Sequence, residues 1–139
     1  MARKLIELVE NQDTLTMPFD ATVKDACTQM RDRRTGCVLV TDENSALIGI
    51  FTASDAVGVI AAEGRPADIR LQDVMTTDPV TMAPERSTIE ALRLMWDCGI
   101  HHVPLTRAGV VVGVVARSDF SGEEYERLAS ERELWEHLR

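Results

Sequence analysis

The sequence has few aromatic residues, no paired cysteine motif and no long apolar run. Aromatic residues make up 4% of the 139 positions, so the core must be built from aliphatic side chains. Three cysteines without CxxC spacing suggest reduced thiols, as in a cytosolic protein. No apolar stretch reaches membrane-spanning length, and the first residues lack a signal-peptide pattern. We therefore expect a cytoplasmic protein without a membrane partner.

The sequence also lacks an excess of basic residues. Its formal net charge is −8, which argues against nucleic-acid partners because the phosphates would be repelled. No nucleophile elbow, phosphate-binding loop, metalloprotease motif or pair of catalytic carboxylates is present. Cys98, His101 and His102 lie close together, but no fourth zinc ligand follows at a suitable spacing. We predict no catalytic residues, no metal site and no required cofactor.

What the sequence does contain is an internal repeat. ACTQMRD (26–32) matches ALRLMWD (91–97), which lies 65 residues later. GIFTASD (49–55) matches GVVARSD (113–119), which lies 64 residues later. The slip of one residue falls in a polar stretch between the two motifs, where a turn tolerates a deletion.

Both repeats have the same order of predicted elements. An extended lead-in precedes a helix that starts with a capping box, at Thr22 in the first repeat and Ser87 in the second. Two short strands rich in β-branched residues follow, and a second helix starts at the TxxD element. In the first repeat the lead-in is predicted at 14–18, the two strands at 37–40 and 46–51, and the second helix at roughly 54–63. In the second repeat the lead-in is predicted at 78–84, the two strands at 102–105 and 110–115, and the second helix from roughly 118 onward.

This order predicts an α/β (α+β) fold of two β-α-β-β-α repeats, because neither repeat could bury both faces of its sheet alone. We expect the repeats to pack with pseudo-two-fold symmetry. The predicted boundaries are 1–13 for an N-terminal helix, 14–64 for the first domain, 65–77 for a linker, 78–121 for the second domain and 122–139 for a C-terminal amphipathic helix.

The two terminal helices lie outside the repeat. The first, about residues 2–10, has Leu5, Leu8 and Val9 on one face. The second is predicted to begin with a capping box of Ser121 and Glu124. Its apolar stripe consists of Tyr125, Leu128, Trp135 and Leu138. This stripe could pack on its own domain or form a dimer contact, and the sequence leaves both possibilities open.

Thr52 and Asp55 of GIFTASD allow two interpretations. As a capping box, the pair satisfies backbone N–H groups, contributes about 1 kcal/mol and needs no ligand. As a ligand site, the same helix start offers N–H groups to a phosphate, and the carboxylate can accept both ribose hydroxyls. The residues alone favour the cap. In the second copy Ala116 can neither cap nor donate, whereas Asp119 is retained.

Taken together, these features resemble a tandem pair of CBS domains, named for cystathionine β-synthase, over roughly residues 14–120. The resemblance rests on the order of elements, on VMTTDPVTMAPERSTIEALRLMWDCGIHHVPL (74–105) and on the two TxxD-like elements. Members of this family commonly bind adenosine nucleotides or S-adenosylmethionine in clefts between paired domains, and they often dimerise. The resemblance implies a stand-alone regulatory module that forms a homodimer and acts on an unidentified effector protein.

The resemblance also implies which residues hold the ligand. In the family the Asp takes the ribose, the Thr or Ser helps to hold phosphate, and the base lies against the lead-in and the next strand. The first site would consist of Thr16, Cys37, Val38, Thr52, Ser54 and Asp55. The second site would consist of Thr81, His102, Val103, Pro104, Arg117, Ser118 and Asp119.

Several alternatives remain open beside this site. Val38 and Val103 could be simple core residues, and Ser118 could be a replacement cap for Ala116. The Arg31–Arg34 cluster is either a solvated helix end or a source of phosphate neutralisation. With the resemblance, ligand binding by the first copy is favoured over the cap, and the altered second copy makes one nucleotide per chain the expectation. The competing functions are a ligand-free dimeric scaffold and an undetected enzyme.

Overall fold

The structure, a computed structural model, describes residues 3–138. Its helices are α1 (Ile6–Val9), α2 (Val23–Arg33), α3 (Ala53–Ala61), α4 (Leu71–Val74), α5 (Thr88–Cys98) and α6 (Gly122–His137). Its strands are β1 (Thr16–Pro18), β2 (Cys37–Thr41), β3 (Leu47–Thr52), β4 (Thr76–Thr77), β5 (His102–Arg107) and β6 (Val110–Ala116). Short 3-10 turns occupy Pro66–Asp68 and Arg117–Asp119. These elements divide into two compact units.

The first-repeat unit consists of Asp13–Val80 with Ala108–Val111. Its four-stranded sheet has the order β1-β2-β3-β4, with β1 parallel to β2 and the other pairs antiparallel. Successive strand residues point to opposite faces of a sheet. Val38 and Phe51 therefore point to the same face and are fully buried with side chains of α2 and α3. This helix-covered face is the core of the unit.

The second-repeat unit comprises the described residues of Met1–Gln12, Thr81–Arg107 and Val112–Arg139. Strand β5 and the part of β6 from Val112 onward belong to this unit and pair in a two-stranded sheet, and Val103 and Val115 are buried in its core. The N-terminal segment belongs to this unit, because Leu5 is fully buried in the same core. The Leu5 N–H donates to the Arg86 carbonyl at 2.9 Å.

The predicted capping box is complete at Thr22, whereas Ser87 forms only half of one, because the Glu90 carboxylate pairs with Arg86 rather than with the Ser87 N–H. Thr22 Oγ1 accepts from the Asp25 N–H at 3.1 Å, and Ser87 Oγ accepts from the Glu90 N–H at 3.2 Å. Side-chain oxygens at these positions satisfy N–H groups that the helix itself cannot pair. The capping box of Ser121 and Glu124 is also present at the start of α6.

Two predicted helix boundaries are wrong. The N-terminal helix is α1 alone, because Lys4 pairs with Ser87 in an extended bridge before it; the predicted residue 2 lies outside the described residues. The second helix of the second repeat does not start near residue 118. A 3-10 turn takes its place, and α6 begins only at Gly122, after Ser121 supplies the cap that Ala116 lacks.

The structure also differs from the prediction in the linker between the repeats and in the second lead-in. The segment 65–77, predicted as a linker, carries a 3-10 turn, α4 and β4 within the first-repeat unit. The second lead-in forms a single bridge, Met82 to Leu105, rather than a full strand. Between residues 3 and 138, no helix has both the length and the apolar character that crossing a membrane requires.

Candidate functional site

The start of α3 forms the complete capping box predicted for GIFTASD. Thr52 Oγ1 accepts from the Asp55 N–H at 3.2 Å, and Asp55 Oδ2 accepts from the Thr52 N–H at 2.9 Å. Both residues are half-buried. The box uses one carboxylate oxygen of Asp55 and a lone pair of the Thr52 hydroxyl. A second carboxylate oxygen and the hydroxyl proton remain for other hydrogen bonds.

Backbone groups beside the box complete this helix end. The Ala53 N–H donates to the Gly36 carbonyl at 2.9 Å. Within the described chain, no such acceptor faces the Ser54 N–H, and the Ser54 side chain is exposed. A free N–H at the positive end of a helix dipole favours an anion. The first turn of α3 can therefore receive a phosphate or a carboxylate.

The sheet register brings Cys37 and Thr16 to the same sheet face as Thr52. Cys37 of β2 pairs directly with Thr52 of β3. Thr16 of β1 pairs with Leu39, which lies two residues after Cys37 on β2. Residues opposite each other, and residues two apart on a strand, share a face. Thr16, Cys37 and Thr52 therefore line the face that points away from α2 and α3.

Val38 does not share that face. Its side chain is fully buried in the helix-covered core of the first-repeat unit, so only its backbone could contact a ligand at the opposite face. A surface cleft of about 350 Å³ does include Thr16 together with Asp20 and Asp42. The cleft runs along the whole of β1 and past its end to Asp20, and its lining includes none of Cys37, Thr52 or Asp55.

The second copy of the motif retains half of the box. The Ala116 N–H donates to Asp119 Oδ2 at 2.7 Å, although Ala116 offers no side-chain acceptor. Ser118 lies inside the 3-10 turn and is exposed, so the possibility that it replaces the missing cap is wrong. Asp119 is positioned like Asp55, but it stands on a turn rather than on a helix end.

The Arg117 side chain is hydrogen-bonded within the second-repeat unit. Its guanidinium donates to the carbonyl of Met95 at 3.1 Å and to that of Ile100 at 3.0 Å. Carbonyls at the end of a helix carry partial negative charge, so a cation is favourable there. Arg117 thus pairs the last turn of α5, and it would have to leave these carbonyls to contact a phosphate.

The remaining residues of the predicted second site do not share one cavity. Val103 is core, and the buried Pro104 uses its carbonyl to accept from the Met82 N–H at 3.1 Å. Burial lowers the pKa of the half-buried His102, with a contribution from His101 in the same direction. Thr81 is exposed and lines a cleft of about 430 Å³ beside α5 that includes none of the other predicted second-site residues.

The arginine cluster is a solvated helix end in this structure. Arg31 pairs with Asp32 at 3.0 Å, Arg33 pairs with Asp13 at 3.3 Å, and Arg34 is the C-cap of α2.

In the described range, no group of three or more His, Cys, Asp or Glu side chains could hold a metal ion. Sequence reasoning missed Gly36, whose carbonyl role depends on the register between β2 and β3.

Comparison with known proteins identifies the repeat. The family model of the CBS domain matches this chain twice, at residues 6–62 and 71–124. The chain belongs to the CBS-domain family. The predicted resemblance is confirmed, and the two matched segments are its tandem CBS repeats.

Relatives and solved structures agree with this membership. A CBS domain-containing protein of Arabidopsis thaliana is 35% identical over 73% of this chain, which spans only 18% of that relative. The uncharacterized protein YlbB of Bacillus subtilis is 32% identical, with 73% of this chain and 70% of YlbB covered. A CBS domain protein from Pyrobaculum aerophilum, solved in complex with AMP, matches with a TM-score of 0.83 at 20% identity, over 92% of this chain and 99% of that one. The predicted α+β CBS fold is confirmed by this likeness.

Proposed function

We propose that this pair of CBS repeats is a regulatory module that binds an adenosine nucleotide or S-adenosylmethionine through its first repeat and acts on a partner protein in trans. The observation that carries the proposal is the start of α3. There the half-buried Thr52 and Asp55 keep unused hydrogen-bonding capacity beside the free Ser54 N–H. Support also comes from the AMP complex of the Pyrobaculum protein.

The proposed roles follow from the chemistry of each group. Asp55 accepts the two ribose hydroxyls through the carboxylate oxygen that the box does not use. Thr52 and the Ser54 N–H donate to a phosphate, or to the carboxylate of S-adenosylmethionine. Thr16 and Cys37 lie on the same sheet face as Thr52, and they border the adenine. Val38 contributes its backbone alone, because its side chain is core.

The second repeat is proposed to be the weaker or silent site. Ala116 removes the hydroxyl donor, and the 3-10 turn replaces the helix end that would favour an anion. The guanidinium of Arg117 is already paired with two carbonyls. We therefore expect one nucleotide per chain, although Asp119 keeps the geometry to hold a ribose.

Titration calorimetry of the nucleotide-stripped protein with AMP, ADP, ATP and S-adenosylmethionine tests the proposal. We expect micromolar binding near one ligand per chain, lost in Asp55→Ala. The matched control is Asp25→Ala, because Asp25 occupies the same position in the capping box of α2. Both variants lose a cap worth about 1 kcal/mol, but only Asp55→Ala should lose the ligand. Equal binding by both variants would leave Asp55 as a cap and nothing more.

A ligand-free scaffold is the second candidate function. It is favoured by the capping boxes of α2, α3 and α6, which satisfy their helix ends without a ligand. Under this alternative none of the four compounds produces heat with the folded protein.

A further inference from the structure

Helix α6 extends past the end of α5, the helix beside which it packs. The two helices run in the same direction, because Thr88 pairs with Glu124 near their starts and Asp97 pairs with Arg132 near the end of α5. Helix α5 ends one residue after the second of these pairs, whereas α6 continues for more than a turn beyond it. The last turn of α6 therefore has no part of α5 beside it.

The apolar side chains of this last turn continue a face of α6 that is buried further back. Leu128 is buried in the core of the second-repeat unit. Trp135 follows Leu128 after about two helical turns, so its side chain points in nearly the same direction. Yet Trp135 is 69% exposed, and Leu138 is 70% exposed. The face loses its cover where α5 ends, although its apolar side chains continue.

Both tryptophans of the chain are exposed at this end of the helix pair. Trp96 on α5 is 60% exposed, and the Arg132 guanidinium stacks over its ring at 4.8 Å. Arg132 lies on the turn of α6 that precedes Trp135. Tryptophan is largely buried in most folded proteins, and it is enriched at the centres of protein–protein interfaces. The overhang surface consists of Trp96, Leu134, Trp135 and Leu138.

The charge around the overhang surface indicates which kind of partner it fits. Both arginines within α6, Arg127 and Arg132, are already in ion pairs. Glu133 and Glu136 are exposed, and neither forms an ion pair with any residue of 3–138. Carboxylates in the last turns of a helix repel the partial negative charge of its final carbonyls. A cation brought by a partner would offset this repulsion, so a basic partner is favoured.

We propose that the overhang surface is the docking site for a basic amphipathic helix of a partner protein. The partner helix lies against the last turn of α6, where α5 no longer covers it, and buries its apolar side chains on the two tryptophans. Its lysine or arginine side chains face Glu133 and Glu136. The inference rests on the action in trans that is part of the proposed function, but it does not depend on nucleotide binding.

A second copy of the chain is a poorer occupant of this surface. The formal net charge is −8, and a two-fold contact here would bring Glu133 and Glu136 of both copies together. An anionic membrane surface is disfavoured for the same reason, because its headgroups would be repelled. A basic helix meets no such repulsion.

Two designed helical peptides test the inference with the full chain. Both carry leucine at the i, i+3, i+4 and i+7 positions over about five turns, and they differ only in having lysine or glutamate elsewhere. Fluorescence anisotropy of the labelled peptides at low and at physiological ionic strength gives the affinities. We expect micromolar binding of the lysine peptide and no binding of the glutamate peptide. Equal binding of the two, or no binding of the lysine peptide, would overturn the inference.

Trp135→Ala tests the apolar part of the surface. The variant should bind the lysine peptide about tenfold or more weakly, because a tryptophan at the centre of an interface carries much of the binding energy. The matched control is Ile60→Ala, because Ile60 is 63% exposed and belongs to the first-repeat unit. Circular dichroism confirms that both variants are folded. Binding by Trp135→Ala as tight as that of the parent would place the peptide elsewhere.

Reversing the charge of Glu133 and Glu136 tests the polar border. A protein with both Glu133→Lys and Glu136→Lys should lose the lysine peptide and gain the glutamate peptide, because its apolar side chains are unchanged. A double variant that keeps the preference of the parent contradicts the role of the two carboxylates.

The competing occupants are tested without peptide. Self-association of the parent that Trp135→Ala abolishes, measured by sedimentation velocity, would assign the surface to a second copy. Binding to phosphatidylcholine vesicles that Trp135→Ala abolishes would assign it to a membrane. Either result overturns the inference of a partner helix.

Titrating AMP and the lysine peptide separately into the parent protein distinguishes this inference from the proposed nucleotide site. A chain that binds AMP but not the peptide refutes only the docking site. A chain that binds the peptide but no AMP refutes only the nucleotide proposal.

Discussion

At the scale of single residues, Glu124 is the most strongly perturbed ionisable group among those described. Burial raises the pKa of its carboxyl, but hydrogen bonds from Arg3, the Ser121 N–H and Thr88 outweigh burial and lower the pKa to about 2. Arg3 Nη2 lies 2.5 Å from Oε1, and the fully buried Thr88 hydroxyl donates to Oε2. One carboxylate thus links the N-terminal segment, α5 and α6.

This linkage predicts an acid-sensitive contribution to stability. A carboxyl with a lowered folded-state pKa stabilises the fold above its unfolded value, near 4.5, and the contribution disappears as the pH falls toward 2. Glu124→Gln should lower the free energy of unfolding at pH 7 by about 1.5–3 kcal/mol, and by progressively less as the pH falls below 4.5. Urea unfolding at several pH values measures the effect, with the exposed Glu126→Gln as the control. A loss independent of pH would assign the effect to packing.

The same residues show what the sequence can and cannot predict at this scale. Ser121 and Glu124 are three positions apart, so their capping box was predictable from spacing alone. Arg3 is 121 positions from Glu124, and no local pattern predicts that pair. The box of Thr52 and Asp55 was predictable too, but the Gly36 carbonyl beside it depends on strand register.

At the scale of helices and strands, the two repeats end their first helix differently. Arg34 ends α2 and Gly99 ends α5, and both adopt the left-handed conformation, with φ of 54° and 65°. Glycine adopts this conformation without steric cost, whereas a side chain at Cβ crowds the carbonyl oxygen. The first repeat therefore carries strain that the second avoids.

Exchanging these residue types should change stability in opposite directions. Arg34→Gly should raise the free energy of unfolding by about 0.5–1 kcal/mol, because relief of strain exceeds the added flexibility of the unfolded chain. Gly99→Ala should lower it by about 1 kcal/mol through conformation alone, because a Cβ there meets nothing within 4 Å. Chemical denaturation of both variants measures the changes. If Arg34→Gly is destabilising, the arginine side chain contributes more than its backbone costs.

Helices that begin with a capping signal could be predicted from the sequence, whereas strand pairs only two residues long could not. Strand β4 was missed because two residues carry no period, and its partners Gly49 and Ile50 lie more than 20 positions earlier. Gly49 allows Met75 and the start of β4 to approach closely, because a Cβ at Gly49 would clash with the Met75 sulfur and lie 3.1 Å from the Thr76 carbonyl oxygen. The predicted helix near 118 failed at a single residue, Ala116, which offers no cap.

At the scale of the whole molecule, the second-repeat unit is assembled from both ends of the described chain. Leu5 is fully buried in its core, and the Gln12 side chain pairs with both backbone groups of Val114, at 2.8 and 2.9 Å. The first-repeat unit holds its own core, which includes Phe51. A core substitution should therefore affect the unit to which the residue belongs.

Hydrogen exchange tests this division. Leu5→Ala should destabilise the protein by about 2–5 kcal/mol and lower amide protection mainly in β5 and β6. Phe51→Ala, the reciprocal variant, should lower protection mainly in β2 and β3. Uniform loss of protection in both variants would mean that the units unfold as one cooperative body.

The placement of residues 3–12 has a consequence for biosynthesis. This segment leaves the ribosome before the first repeat, yet the core that buries Leu5 and Val9 is completed only after residue 128 has been made. Most of the first-repeat unit can fold in the meantime, while the two apolar residues stay exposed on the nascent chain. Contacts between such distant residues also close slowly. We therefore expect residues 3–12 to be accessible to chaperones during translation, until residue 128 has been made.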